Sequence, residues 1–174
     1  MDDVKRPHVL LLPIKMIWIA ILMLAIFHFT FSVLNKHYGF SFDTHKQRCI
    51  PEYSFYFLNK QIKTINKDSI YMFHAKNMTP FFKDGQLIGK YVIAKSGDTV
   101  DINKNGIFVN GLKFQDRKFG LTTKLNISEE SLYKTIQLRD KEIFFAGTAD
   151  NSFDSVYWGV GNTSQIIAKA IPLW

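Results

Sequence analysis

Three short stretches of the chain hold the residue types that nucleophilic chemistry needs. Cys49-Ile50-Pro51 contains the sole cysteine. Gly89-Lys90-Tyr91-Val92-Ile93-Ala94-Lys95-Ser96-Gly97-Asp98-Thr99-Val100 sets a lysine ahead of a strand-like apolar run. Gly147-Thr148-Ala149-Asp150-Asn151-Ser152-Phe153-Asp154-Ser155-Val156-Tyr157-Trp158-Gly159 groups hydroxyls and carboxylates before two aromatics. A thiol ionises at about 8.5 and needs less activation than a hydroxyl. A lysine ammonium, at about 10.4, serves as a base only where desolvation or a nearby positive charge lowers that value. Taken singly, these residues have ordinary explanations. A lone cysteine is most often a small buried hydrophobe, a lone lysine is solvated, and Ser152 and Asp154 suit a turn beside Asn151. Common motifs are missing: the chain has no Walker loop, dinucleotide fingerprint, His-Glu-x-x-His or Gly-x-Ser-x-Gly. One cysteine excludes an intrachain disulfide framework. The five histidines include no metal-ligand pair outside the membrane flank, so no metal and no cofactor is expected.

The elements that must position these residues follow from length and composition. The chain has 174 residues, which leaves room for one compact domain plus a membrane segment. A composition of 47% hydrophobic and 21% charged residues excludes a disordered tail or fibrous repeat, and 16 Phe and 7 Tyr favour strands over a helical bundle. The formal charge is +7, but the 22 Lys and Arg are scattered, with no basic helix and no pairing of basic clusters with spaced aromatics. No nucleic-acid partner is expected.

From Met16 to Leu34 there are 19 residues without a formal charge. As a helix they reach about 28 Å, close to the hydrocarbon thickness of a bilayer. The run is too long for a signal-peptide core and no small-x-small cleavage site follows, so it reads as a retained anchor. Val9 to Ile14 is a shorter apolar stretch, cut off by Pro13 and Lys15 and suited to the interface. Lys5, Arg6 and Lys15 precede the anchor along with Asp2 and Asp3, and Lys36 follows it. The positive-inside rule leans towards a cytoplasmic N-terminus.

Residues Asn35–Arg48 read as a polar connector without periodicity. Strands are expected at Ser54–Leu58, Ile70–His74, Tyr91–Ala94, Thr99–Ile102, Ile107–Val109, Glu142–Ala146 and Gln165–Ala170. Asn103-Lys104-Asn105-Gly106 and Asn110-Gly111 read as tight turns in which Asn-Gly supplies positive φ, the first as type I′. Ser128 followed by Glu129 and Glu130 reads as the N-cap of a short helix reaching Ile136. The expected fold is mainly antiparallel β with one N-terminal transmembrane helix and a short additional helix. Residues 1–35 are expected to form the tail and anchor, and residues 36–174 the β domain.

The order and spacing of the three stretches resemble the type I signal peptidases. The likeness is greater still to the TraF-type pilin-processing peptidases of conjugative transfer. It covers nearly the whole chain: an anchor, the three blocks in family order, and a Pro-Leu-Trp terminus like that branch's. The family places a serine nucleophile before a hydrophobic-Pro pair and a lysine base before Gly-Asp. Its third block ends Asp-Asn-Ser-x-Asp-Ser-Arg-Tyr-Trp-Gly. By position the resemblance implies that Lys90, eight residues before Asp98, is the base and that Ser152 and Asp154 support it. At the nucleophile position this chain has Cys49, 41 residues before Lys90. Ser54 lacks the downstream Pro, and Asn77-Met78-Thr79-Pro80 offers no nucleophile. A second departure is Val156, where the family motif has Arg.

The resemblance implies a membrane-anchored endopeptidase that processes a pilin precursor for a conjugative secretion apparatus. The anchor would be a single pass of the inner membrane, with the catalytic domain in the periplasm. Lys90 would act as a neutral base or as the partner of a thiolate. The Cys49 N–H and Gln47 would hold the oxyanion, and Ile50 and Pro51 would touch the substrate. A thioester favours amine attack over water more than an oxygen ester does, so joining of pilin ends into a cyclic subunit stands beside hydrolysis. Two other classes remain open: an inactive scaffold of the apparatus, and a membrane-tethered module that grips a peptide with Tyr157 and Trp158.

Overall fold

The computed structural model describes residues 8–174, with side chains from Pro13 onward. Asp2, Asp3, Lys5 and Arg6, which bear on orientation, lie outside the described residues. The chain divides into two compact units, with the boundary between His37 and Tyr38. The first contains helix α1, His8–His37, which runs without a break through Pro13 and the Val9–Ile14 stretch. Its Pro13–His37 portion has the length and composition to cross a membrane, at roughly 38 Å, and none of it is buried.

The second unit is built of antiparallel strands. In chain order these are β1 Tyr38–Phe42, β2 Phe55–Asn59, β3 Ser69–His74, β4 Leu87–Lys95, β5 Thr99–Asn103, β6 Gly106–Val109 and β7 Leu112–Gln115. After the single-turn helix α2, Thr122–Leu125, come β8 Lys134–Gln137 and β9 Glu142–Ala146. A second single turn, α3 Ser155–Trp158, precedes β10 Gly161–Asn162 and β11 Ile166–Pro172. One sheet has the order β1-β2-β11-β3-β4-β9-β10, the other β7-β6-β5-β8.

Strand β3 shows why the sequence folds this way. Tyr71 and Phe73 face a cluster with Ile88, Val92, Ile143 and Phe145, while Ile70 and Met72 face another with Tyr56, Leu58 and Ala168. A strand buried on both faces reads as a continuous apolar run, as Ile70-Tyr71-Met72-Phe73 does. A third cluster joins Ile93 and Ala94 to Val100, Ile102 and Ile107 of the smaller sheet, with Phe144 and Val156. It locks the two sheets into one body.

Three local expectations are corrected. The connector Asn35–Arg48 contains the end of α1 and all of β1. Phe40 and Phe42 pair with Phe57 and Phe55, and the Phe42 and Phe55 rings stack at 4.3 Å. Aromatic pairing across strands drives this, and the period-2 signal Tyr38-x-Phe40-x-Phe42 was its trace. The helix expected from Ser128 is only a 3-10 turn, Glu130–Leu132, although Ser128 Oγ does accept from the Ser131 N–H at 3.3 Å. β-branched Thr135 and Ile136 pair instead with Asp101 and Val100 of β5. The first tight turn is not type I′, since Asn103 pairs with Gly106 and only Gly106, at φ 116°, is left-handed there. Asn110 and Gly111 both have positive φ, as expected.

Gly106 is required for space as well as conformation. A Cβ there would stand 2.1 Å from the Gln115 carbonyl oxygen of β7. Gly106→Ala is therefore expected to destabilise the domain by about 2 kcal/mol or more, read as a lowered denaturation midpoint.

Candidate active site

Lys90 lies in the middle of β4, in phase with Ile88 and Val92 and opposite Tyr71 of β3, so its side chain enters an apolar cluster. It is fully buried. Its Nζ donates to Ser152 Oγ at 2.7 Å and sits 5.7 Å from the centre of the Phe82 ring. No carboxylate lies within ion-pair distance of Nζ among the described residues. A buried amine with one hydroxyl partner and no carboxylate is not part of a structural salt bridge.

The loop from Gly147 to Asp154 carries the supporting groups. Asp154 caps α3, its Oδ1 accepting from the Val156 N–H at 3.3 Å. Its Oδ2 accepts from the Gly147 N–H at 2.9 Å and from Arg117 at 2.7 Å. Ser152, Asp154 and Ser155 are all fully buried, and Ser155 Oγ accepts from the Phe145 N–H at 3.0 Å. The structure thus brings Lys90, Ser152 and Asp154 into one buried network. Burial pushes the Tyr157 phenol above its ordinary value and keeps it neutral, with the Leu121 N–H donating to its oxygen at 3.4 Å.

Cys49 is held to the same loop by its backbone. Its carbonyl oxygen accepts from the N–H groups of Thr148 and Ala149 at 2.9 and 3.2 Å, and Thr148 Oγ1 donates to Glu52 at 2.7 Å. The thiol is free and partly exposed. The Cys49 N–H has no acceptor among the described residues. Cys49 and Gln47 line two adjoining cavities that share Phe82 and His45. One is walled by Tyr56, Met72 and Ile88, the other by Pro80, Leu121 and Phe153. Together they form a groove passing Cys49. Ile50 is buried and contributes to the first cavity, whereas Pro51 is exposed in a turn and lines neither. Trp158 packs on Phe73 and Phe145, at 6.2 and 5.8 Å, and Tyr157 stacks on Phe153 at 5.8 Å. Both aromatics contribute to the packing and are half-buried.

Sequence reasoning missed Arg117, whose buried guanidinium binds Asp154, and His45, whose Nδ1 lies 2.8 Å from Asp43 Oδ1. Nothing in the chain near Arg117 resembles a motif. For Lys90 a signal did exist: a cation in register with Ile88 and Val92 on a strand facing the core.

A fully buried lysine on a strand has a hydroxyl on its Nζ, and the turn that carries the half-buried Cys49 is hydrogen-bonded to the same loop. The profile of the family described as "Signal peptidase, peptidase S26" matches residues 11–174, and the chain belongs to that family of peptidases. Among solved structures, it is similar to a signal peptidase I from Enterococcus faecalis V583. The identity is 20% and the TM-score 0.41, over 63% of this chain and 98% of that one. No curated protein sequence matches the chain.

Proposed function

We propose that the chain is a membrane-anchored endopeptidase that processes a pilin precursor for a conjugative secretion apparatus, through a Cys49/Lys90 variant of the Ser/Lys mechanism. The observation that carries the peptidase reading is the buried Lys90 Nζ on Ser152 Oγ, with the Cys49 turn hydrogen-bonded to the same loop. The pilin assignment is supported by the branch that the three motif blocks and the Pro-Leu-Trp terminus resemble. The apolar α1 helix supports a membrane anchor, and an inner-membrane pass with a periplasmic catalytic domain is what the resembled branch implies.

In this mechanism the Cys49 proton passes to Lys90 Nζ, and the thiolate attacks the scissile carbonyl carbon. The oxyanion is stabilised by the Cys49 N–H and by Gln47, which shares the groove. The C–N bond breaks, and the leaving amine takes its proton from Lys90. This leaves a thioester on Sγ. Attack by water regenerates the thiol and releases a linear product. Attack by the precursor's own N-terminal amine instead closes a ring. The extended substrate lies along the groove past Cys49, and the narrow apolar walls admit small side chains before the cut.

The experiment is mass spectrometry of a candidate pilin co-expressed with wild type, Cys49→Ala, Cys49→Ser and Lys90→Ala. A mature mass absent from Cys49→Ala and Lys90→Ala is expected. A product lighter than the linear mature form by one water identifies cyclisation. Equal maturation in all four would show that this chain is not the peptidase and would favour a scaffold.

A further inference from the structure

The geometry points to Arg117 as a positioning residue for Lys90, an inference that rests on the Cys49/Lys90 reading above. Arg117 belongs to the segment between β7 and α2, remote in sequence from every motif block, yet its side chain is completely buried. The guanidinium spans the supporting loop. Nη1 donates to Asp154 Oδ2 at 2.7 Å, Nη2 donates to the Ser152 carbonyl oxygen at 2.5 Å, and the cation lies 5.9 Å from the centre of the Tyr157 ring. One fork therefore grips both residues of the Ser152/Asp154 pair, and Ser152 Oγ is the only hydrogen-bond partner of Lys90 Nζ among the described residues.

Position 156 strengthens the case. The motif quoted above has Arg there, two residues after the acid. This chain has Val156, fully buried in the apolar cluster with Ile93, Ile102 and Phe144. The positive charge that Asp154 requires comes instead from a different part of the chain. A buried carboxylate without a cation is strongly unfavourable, so the loss of arginine at 156 and the presence of Arg117 make one consistent arrangement. Lysine would not serve equally: a point charge cannot hold a carboxylate and a carbonyl in the fixed geometry of a fork.

Arg117 thus acts on the reaction through Ser152. It sets the loop, the loop sets the Ser152 hydroxyl, and the hydroxyl aims Nζ. The sole cysteine makes this measurable without a known substrate, because alkylation of the full-length protein by iodoacetamide in detergent micelles reports on Cys49 alone. Against wild type, Arg117→Met is expected to slow alkylation at neutral pH by about tenfold or more, and Arg117→Lys to restore only part of the rate. In precursor processing the same variant should lower kcat with little change in KM.

A double variant, Arg117→Met with Asp154→Asn, removes the unpaired carboxylate. If Arg117 served folding alone, this variant would recover the melting temperature and alkylate at the rate of Asp154→Asn alone. The positioning role expects the melting temperature to recover while Cys49 stays slower than in Asp154→Asn alone. Wild-type alkylation in a folded Arg117→Met protein, with Lys90→Ala slow, would overturn the role of Arg117 and leave the Cys49/Lys90 reading standing. Wild-type alkylation in Lys90→Ala would overturn both.

Discussion

Lys90→Met is expected to abolish processing while leaving the domain as stable as wild type or more so. The methionine fits the same apolar cluster of Tyr71, Ile88 and Val92, and it removes a buried polar head that has only one hydrogen bond. The lost bond costs about 1 kcal/mol, and the relief of burying an amine offsets it. Activity should nevertheless fall by about 10²–10⁴-fold, the range for removing a general base, with KM little changed. A side chain kept at a net cost to stability is the mark of a functional residue. Thermal melting and precursor-processing rates on one preparation test both halves. A Lys90→Met protein that processes precursor at a rate near wild type would refute the base assignment.

The second large effect is expected from one methyl group at Gly147. A Cβ there would lie 2.3 Å from Ser152 Oγ and 2.4 Å from the Cys49 carbonyl oxygen. The first atom is on the side chain that holds Lys90, and the second is on the backbone of Cys49. The carbonyl cannot move without the Cys49 backbone, rotating the hydroxyl away still leaves the Ser152 Cβ at 2.8 Å, and the Gly147 N–H is itself tied to Asp154 at 2.9 Å. Gly147→Ala should cost about 2–4 kcal/mol of stability and lower processing by about 100-fold or more. Denaturation midpoints and processing rates read the two effects. Retained activity would mean that Cys49 and Ser152 do not approach across Gly147 as described.

The legible and hidden parts of this chain divide on physical lines. Strands with strong local signals, such as Ile70–His74 and Glu142–Ala146, were found within a residue of their observed ends. The Asn110-Gly111 turn was found as well. Lys90, Ser152 and Asp154 were reached through their resemblance to a motif, and the structure joins them in one network. The supposed helix after Ser128 failed because its capping signal was genuine but local, whereas pairing with β5 was not visible in the segment. Arg117 was hidden for a related reason. Its contacts, 35 and 37 residues away, depend on the smaller sheet and the Asp154 loop meeting in space. Val156 gave the one hint, as a missing arginine whose replacement had to come from elsewhere.

The most direct test of the central claim is to trap the covalent intermediate. Precursor and full-length enzyme are mixed, quenched in acid, and measured by intact mass and peptide mapping. The expected result is a precursor fragment, the part preceding the cut, attached to Cys49 through a thioester that neutral hydroxylamine releases. It should be absent from Cys49→Ala. An adduct on Ser54 or another hydroxyl, or cleavage by Cys49→Ala at the wild-type rate, would contradict the account.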